Sequence, residues 1–224
     1  MKKNIIILII MLPVFASGCL IQNIYPIYCE EETIKDDQIL GCWVTPMDLW
    51  EFVDDGDGYR LTYTTEDRRV GTFDVHLALI EGNLMLDVLP IEQPLTYWDG
   101  SSWSMDQPLF LISDHAFFVI DSLEPEKIAL RALNPTRFED FFTRDQLVNP
   151  EPDIEKAEFA VLALSTEEFR QIILETLEIP FTPYDPEVQN NDDTWIPFNL
   201  KKINRDEIPD EWWVEGEPDK LRER

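Results

Sequence analysis

Two histidines, His76 and His115, are the only imidazoles in this 224-residue chain, so any histidine-based acid–base or metal chemistry must use one of them. The run Ser113-Asp114-His115 spells out the members of a hydrolytic triad. Consecutive positions on a strand point to opposite faces, however, so these three cannot line up as nucleophile, base and orienting acid. The sequence holds no Gly-x-Ser-x-Gly elbow, no phosphate-cradling glycine loop and no His-Glu-x-x-His pair. As metal ligands, His76 and His115 are weak candidates, needing Asp74 or Asp114 to meet them across a sheet. The acidic pentad Asp54-Asp55-Gly56-Asp57-Gly58 places Tyr59 where a calcium loop needs its next oxygen ligand, so it reads as a turn. With 45 acidic residues, a paired catalytic carboxylate cannot be told from solvated surface. No catalytic residue and no cofactor are assigned, and the expectation is a protein that is not an enzyme.

The three cysteines point to a different chemistry. Lys2 and Lys3 precede the apolar run Ile5 to Phe15, and Ala16-Ser17-Gly18 leads into Cys19. The run is shorter than the roughly 20 residues a membrane span needs and matches the apolar region of an export signal. Ala16-Ser17-Gly18-Cys19 resembles the lipobox of bacterial lipoproteins, with alanine where leucine is more usual, which implies acylation of Cys19 after removal of residues 1–18; an ordinary signal peptide cut near Ala16 or Gly18, or an uncleaved anchor, is the alternative. Each buried methylene of an acyl anchor contributes about 0.8 kcal/mol, and more than one chain is needed to hold firmly. Cys29 and Cys42 would remain in a compartment that permits disulfides. A bridge would close a loop of about 14 residues and contribute about 3 kcal/mol by chain entropy. Two unlinked small thiols are the alternative.

Removing residues 1–18 takes two lysines and leaves 16 basic against 45 acidic residues, a net charge of −29. That charge repels phosphate backbones, so no nucleic-acid partner is expected, and contact with the bilayer is expected only through the anchor.

The elements follow from periodicity. Phe73, Val75, Leu77 and Leu79 alternate with Asp74, His76 and Ala78, and after Gly82-Asn83 the run resumes as Leu84, Leu86 and Val88. A two-residue hairpin loop at Gly82-Asn83 puts both sets on one face. Strands are predicted at Ile39–Val44, Asp48–Val53, Leu109–Ile112, His115–Asp121, Lys127–Leu133 and Glu158–Leu164. Residues 91–109 lack clear periodicity and carry Tyr97, Trp98 and Trp103, as a lid or as a short hairpin around Asp99-Gly100. Asn134-Pro135 starts a short helix near 135–144 with Phe138, Phe141 and Phe142 on one face. Ser165 and Glu168 form a capping box for a second helix near 166–178, striped by Phe169, Ile172, Ile173, Thr176 and Leu177. Trp195 to Ile203 reads as a last strand or a strap; Trp212 and Trp213 find no assigned place.

Several motifs together resemble a group of uncharacterised bacterial lipoproteins with a lipocalin-like barrel. They are the lipobox, Ile24-Tyr25-Pro26-Ile27-Tyr28, Leu40-Gly41-x-Trp43, Gly58 to Tyr63, Phe73-x-Val75-His76-Leu77, Leu86-Asp87-Val88-x-Pro90 and Leu164 to Glu168. The likeness covers Met1 to about Phe181. It implies architecture and address, without chemistry: a mainly β, antiparallel lipocalin-like (calycin-type) barrel with two packing helices. The chain departs from the group's usual Gly-Thr-Trp and Tyr-Thr by carrying Cys42 and Cys29, as an added disulfide would look.

The expected organisation is a signal peptide over 1–18, an acylated cysteine and tether over 19–38, a barrel over 39–181 and an acidic, proline-rich extension over 182–224. Tyr25 and Tyr28 of the tether either dock on the barrel or belong to a plain spacer. The expected barrel interior is Trp43, Phe73, Val75, Leu77, Leu79, Leu84, Leu86 and Val88, with Tyr97, Trp98 and Trp103 as candidate lid. The expected function is a lipid-anchored binding barrel for a small apolar ligand; the alternative is an interaction module with a filled barrel that contacts another envelope protein, and a hydrolase is the weakest reading. Leu20 after Cys19 is not the aspartate associated with inner-membrane retention, so the expected address is the outer membrane, facing the periplasm.

Overall fold

Alternating sequences can satisfy their backbone groups only by pairing, and a sheet avoids raw edges by closing on itself. The computed structural model, which describes residues 21–65, 69–98, 103–105, 115–134, 137–148, 160–178 and 194–208, takes that solution. Its strands are β1 (Ile21–Asn23), β2 (Thr33–Ile34), β3 (Gly41–Val44), β4 (Asp48–Asp55), β5 (Gly58–Thr65) and β6 (Arg69–Ile80). After these come β7 (Asn83–Trp98), β8 (Trp103–Met105), β9 (His115–Glu124), β10 (Lys127–Leu133), β11 (Ala160–Leu162) and β12 (Trp195–Ile203). The α-helices are α1 (Phe138–Phe141) and α2 (Thr166–Leu177).

Eight antiparallel strands close a barrel in the order β3-β4-β5-β6-β7-β9-β10-β12, with β12 returning to pair β3. The expected lipocalin-like, mainly β architecture with two packing helices is what forms. The closing strand, however, lies inside the segment read as a C-terminal extension, so the barrel runs past residue 181 to Ile203. The last-strand reading of Trp195 to Ile203 is the correct one. Pro197 lies where β12 pairs β10 alone, since the pairing with β3 covers only Lys201, Lys202 and Ile203, so a proline is tolerated there.

The β6–β7 hairpin corrects one detail. Ile80 pairs Asn83, so the loop is Glu81-Gly82 and not Gly82-Asn83. Both loop residues have positive φ, 50° at Glu81 and 84° at Gly82, as a type I′ turn demands. Sliding the loop by one residue shifts the pairing by two, to Leu79–Leu84, Leu77–Leu86 and Val75–Val88. A shift of two keeps every side chain on its face, so the apolar pattern survives the change.

Two cores result. Inside the barrel, Trp43, Trp50, Phe52, Tyr59, Leu61, Val75, Leu77, Leu86 and Phe118 pack together with the inner residues of β10 and β12. Outside it, α2 lays Phe169, Ile173 and Thr176 against Ala78, Ile80, Met85, Phe117 and Val119. The same outer layer receives Ile21 and Ile27 from the amino-terminal segment and Phe142 from beside α1. The stretch Ala116–Ile120 is therefore buried on both faces, the inner one by the barrel and the outer one by this layer. The predicted capping box forms as expected: Ser165 Oγ accepts from the Glu168 N–H at 3.3 Å, and the Ser165 N–H donates to Glu168 Oε2 at 3.1 Å.

Residues 91–98, which lack clear periodicity, continue β7, and Trp98 pairs Trp103 across the β7–β8 hairpin. The hairpin alternative therefore describes this backbone, including Tyr97, opposite Ser104. The strand predicted over Leu109–Ile112 lies outside the described residues, as do Trp212 and Trp213.

Candidate functional site

Trp43 lies within the barrel core. Its indole is fully buried, and its Nε1–H donates to the Ile39 carbonyl at 2.7 Å. The Lys202 ammonium lies 4.8 Å from the ring centroid, in range for a cation–π contact. Gly41, at φ 113°, leaves room for that lysine, whose Cε would sit 3.3 Å from any Cβ there. The motif Leu40-Gly41-x-Trp43 thus has a concrete role: its glycine makes room for Lys202, and its indole is held in the core by the Ile39 carbonyl.

Of the expected interior positions, Trp43, Val75, Leu77, Leu86 and Val88 are buried in the barrel core, and Phe73 and Leu84 pack against it half-buried. Leu79 is a correction. It keeps the inward parity but stands next to the hairpin turn, beyond the rim, and is 48% exposed. The interior is crowded with rings. Trp50 meets Tyr63 edge-on at 5.5 Å and Phe118 at 5.9 Å, and Phe118 meets Phe198 at 5.9 Å. Geometries of this kind stabilise aromatic clusters beyond the area they bury.

The two histidines come to the same outer face without meeting as a metal pair. His76 lies opposite Asp87 in the β6–β7 ladder, and its Nε2 is 3.5 Å from Asp74. His115 Nδ1 instead contacts Asp87 Oδ1 at 2.5 Å, while Asp87 Oδ2 accepts from the Ile27 N–H at 3.2 Å. Asp87 is 1% exposed, so this carboxylate is committed to holding a ring and a backbone segment. Tyr28 lies 5.3 Å from the His76 ring. Burial, aided by the carboxylates of Asp87, Asp74 and Glu30, pushes its hydroxyl well above the usual tyrosine range. Of the two tether tyrosines, then, Tyr28 docks on the barrel while Tyr25 is half exposed. Among the described residues, no group of three or more His, Cys, Asp or Glu side chains is arranged to hold a metal ion.

Sequence reasoning missed the role of Asp87. It also missed the clamp made by Arg170 of α2, which ion-pairs Glu32 at 2.5 Å and donates to the Ile27 carbonyl at 3.4 Å. A cleft of about 550 Å³ opens beside this clamp, outside the barrel, between the Glu81-Gly82 turn and α2. Its lining mixes the acidic Glu81, Glu167, Glu175 and Glu178 with Arg170 and the apolar Leu174 and Leu177.

The expected Cys29–Cys42 bridge does not form: both are free thiols. Cys42 is buried on the outer side of β3 with Leu49 and Ile208, whereas exposed Cys29 sits 3.5 Å from the Arg170 guanidinium on α2. The segments that carry them pack on different parts of the barrel, so a short separation in sequence brings no contact. Cys19 lies outside the described residues.

The class that this topology defines is a closed eight-stranded antiparallel barrel capped on one outer flank by a helix and the amino-terminal segment. No protein-family model matches the chain, and neither a curated protein nor a solved structure matches it significantly.

Proposed function

We propose that this chain is a non-enzymatic, lipid-anchored envelope protein whose barrel is a solid scaffold for contact with another envelope protein. The observation that carries the scaffold reading is the filling of the barrel: Trp43, Trp50, Phe52, Tyr59 and Phe118 are each at most 2% exposed. Eight strands enclose a space that can hold one small ligand or be filled by the barrel's own side chains, and here bulky rings take the space. The basic, apolar and small-residue sequence of residues 1–18 before Cys19 supports export and acylation, and Leu20 supports an outer-membrane address. The strong negative charge supports a partner surface that is neutral or basic.

Native mass spectrometry of the detergent-extracted protein tests this reading. The expected spectrum shows the acylated polypeptide without a further small molecule, and a specific protein recovered with it after cross-linking in cells. A retained apolar adduct displaced by denaturation would overturn the filled barrel in favour of a ligand carrier.

A further inference from the structure

The amino-terminal segment was expected to be a tether, but it is locked into the fold almost from the residue after the anchor cysteine. β1 is sandwiched in the sheet, parallel to β11 through Ile21–Ala160, Gln22–Val161 and Asn23–Leu162, and antiparallel to β9 through Gln22–Ala116 and Asn23–His115. Ile21, Gln22 and Asn23 are 3%, 3% and 0% exposed. The Asn23 side chain adds a two-way bond to Leu164, donating to its carbonyl at 3.0 Å and accepting from its N–H at 3.1 Å. Downstream, Asp87 and Arg170 fix Ile27 by its N–H and its carbonyl. Only Leu20 separates Cys19 from this locked strand. Two residue steps span at most about 7 Å, less than the width of one helix.

We propose that the barrel is held directly against the bilayer by the flank that carries β1 and β11, with no flexible spacer between lipid and fold. This rests on the reading that Cys19 bears the acyl chains. The partner of that flank is a lipid surface, reached because the chain offers no length with which to leave it. A protein so held recognises only what comes to the membrane surface, and its orientation there is set by the fold.

The test uses the full acylated chain in phosphatidylcholine–phosphatidylethanolamine vesicles. A fluorescent donor on the exposed Cys29 thiol reports energy transfer to headgroup-labelled lipid. A second version carries a Gly/Ser insert of roughly 16 residues between Leu20 and Ile21, adding an r.m.s. reach of about 22 Å. The expected result is strong transfer in the natural chain and a fall of about twofold or more with the insert. Transfer unaffected by the insert overturns the clamp while leaving the anchor standing. Hydrogen exchange on the unaltered vesicle-bound chain decides independently of the insert: protected Gln22 and Asn23 amides support the clamp, and freely exchanging ones overturn it. Absence of fatty acid on Cys19, read from the intact mass, would overturn the anchor itself.

Discussion

Asp87 on β7 holds His115 on β9, with the carboxylate Oδ1 2.5 Å from the imidazole Nδ1, and both groups sit in the seam where the amino-terminal segment docks on the barrel. Because Asp87 also accepts the Ile27 N–H, its removal frees two donors in a buried place. Asp87→Ala is expected to cost about 3 kcal/mol in chemical denaturation. Amides of residues 24–28 should lose exchange protection before the barrel unfolds. Equal protection in both proteins would show that the seam is held by packing alone.

Phe118 and Leu79 separate face from depth. Phe118→Ala removes a ring wedged between Trp50 and Phe198 and should cost about 3–5 kcal/mol. Leu79→Ala, at a rim position 48% exposed, should change stability by less than about 0.5 kcal/mol. Urea midpoints of the two variants give the comparison, and similar losses would refute the rim assignment.

At the Glu81-Gly82 turn, both residues occupy left-handed backbone. Asparagine tolerates that conformation better than glutamate, so Glu81→Asn should stabilise by about 0.5 kcal/mol. Gly82→Ala should destabilise by about 1 kcal/mol, since nothing crowds the site and backbone strain alone acts. Thermal melts that rank the two in the opposite order would contradict the observed loop.

The capping box gives a pH dependence. Hydrogen bonds from the Ser165 hydroxyl and backbone N–H hold the Glu168 carboxyl below its ordinary range. A lowered folded pKa means that the stabilisation is present above the ordinary carboxylate value and is lost as pH falls through the lowered one. Ser165→Ala should therefore weaken α2 at neutral pH. The gap between the two proteins should shrink as pH drops below about 4. A gap constant from pH 7 to pH 3 would assign it to something other than the carboxylate.

Burial, reinforced by Glu51, pushes the Cys42 thiol up to about 11, whereas Cys29 is exposed. At pH 8 only about one part in a thousand of Cys42 is thiolate. A maleimide should thus label Cys29 and spare Cys42 in the folded protein. Non-reducing peptide mapping should recover the two cysteines unlinked; a joined peptide would restore the bridge that the fold separates.

Local periodicity carried most of the barrel into view, because a strand with one wet face must alternate whatever its partner. It fixed the face of Leu77 and Leu86 but not the height of Leu79, since alternation carries no information about where a strand leaves the barrel. The Glu81-Gly82 loop was misplaced by one residue because Gly82 can serve either central position of such a turn, and only long-range pairing decides. β12 was ambiguous for the same reason: Pro197 argues against a central strand until its partner β10 is known. Asp87 looked like ordinary solvated polarity. The available hint was the run Ala116 to Ile120, with no polar residue to mark a wet face, which signals cover on both sides. The pairing of Cys29 and Cys42 was not legible, because a short spacing in sequence does not by itself bring two sulfurs together.

Closure by β12 sets an order of events. Its partners β3 and β10 are both made long before residues 195–203, so a growing polypeptide carries two unpaired margins until those residues arrive. The barrel therefore cannot close before β12 is made. A copy cut short before Trp195 would offer those margins to its neighbours.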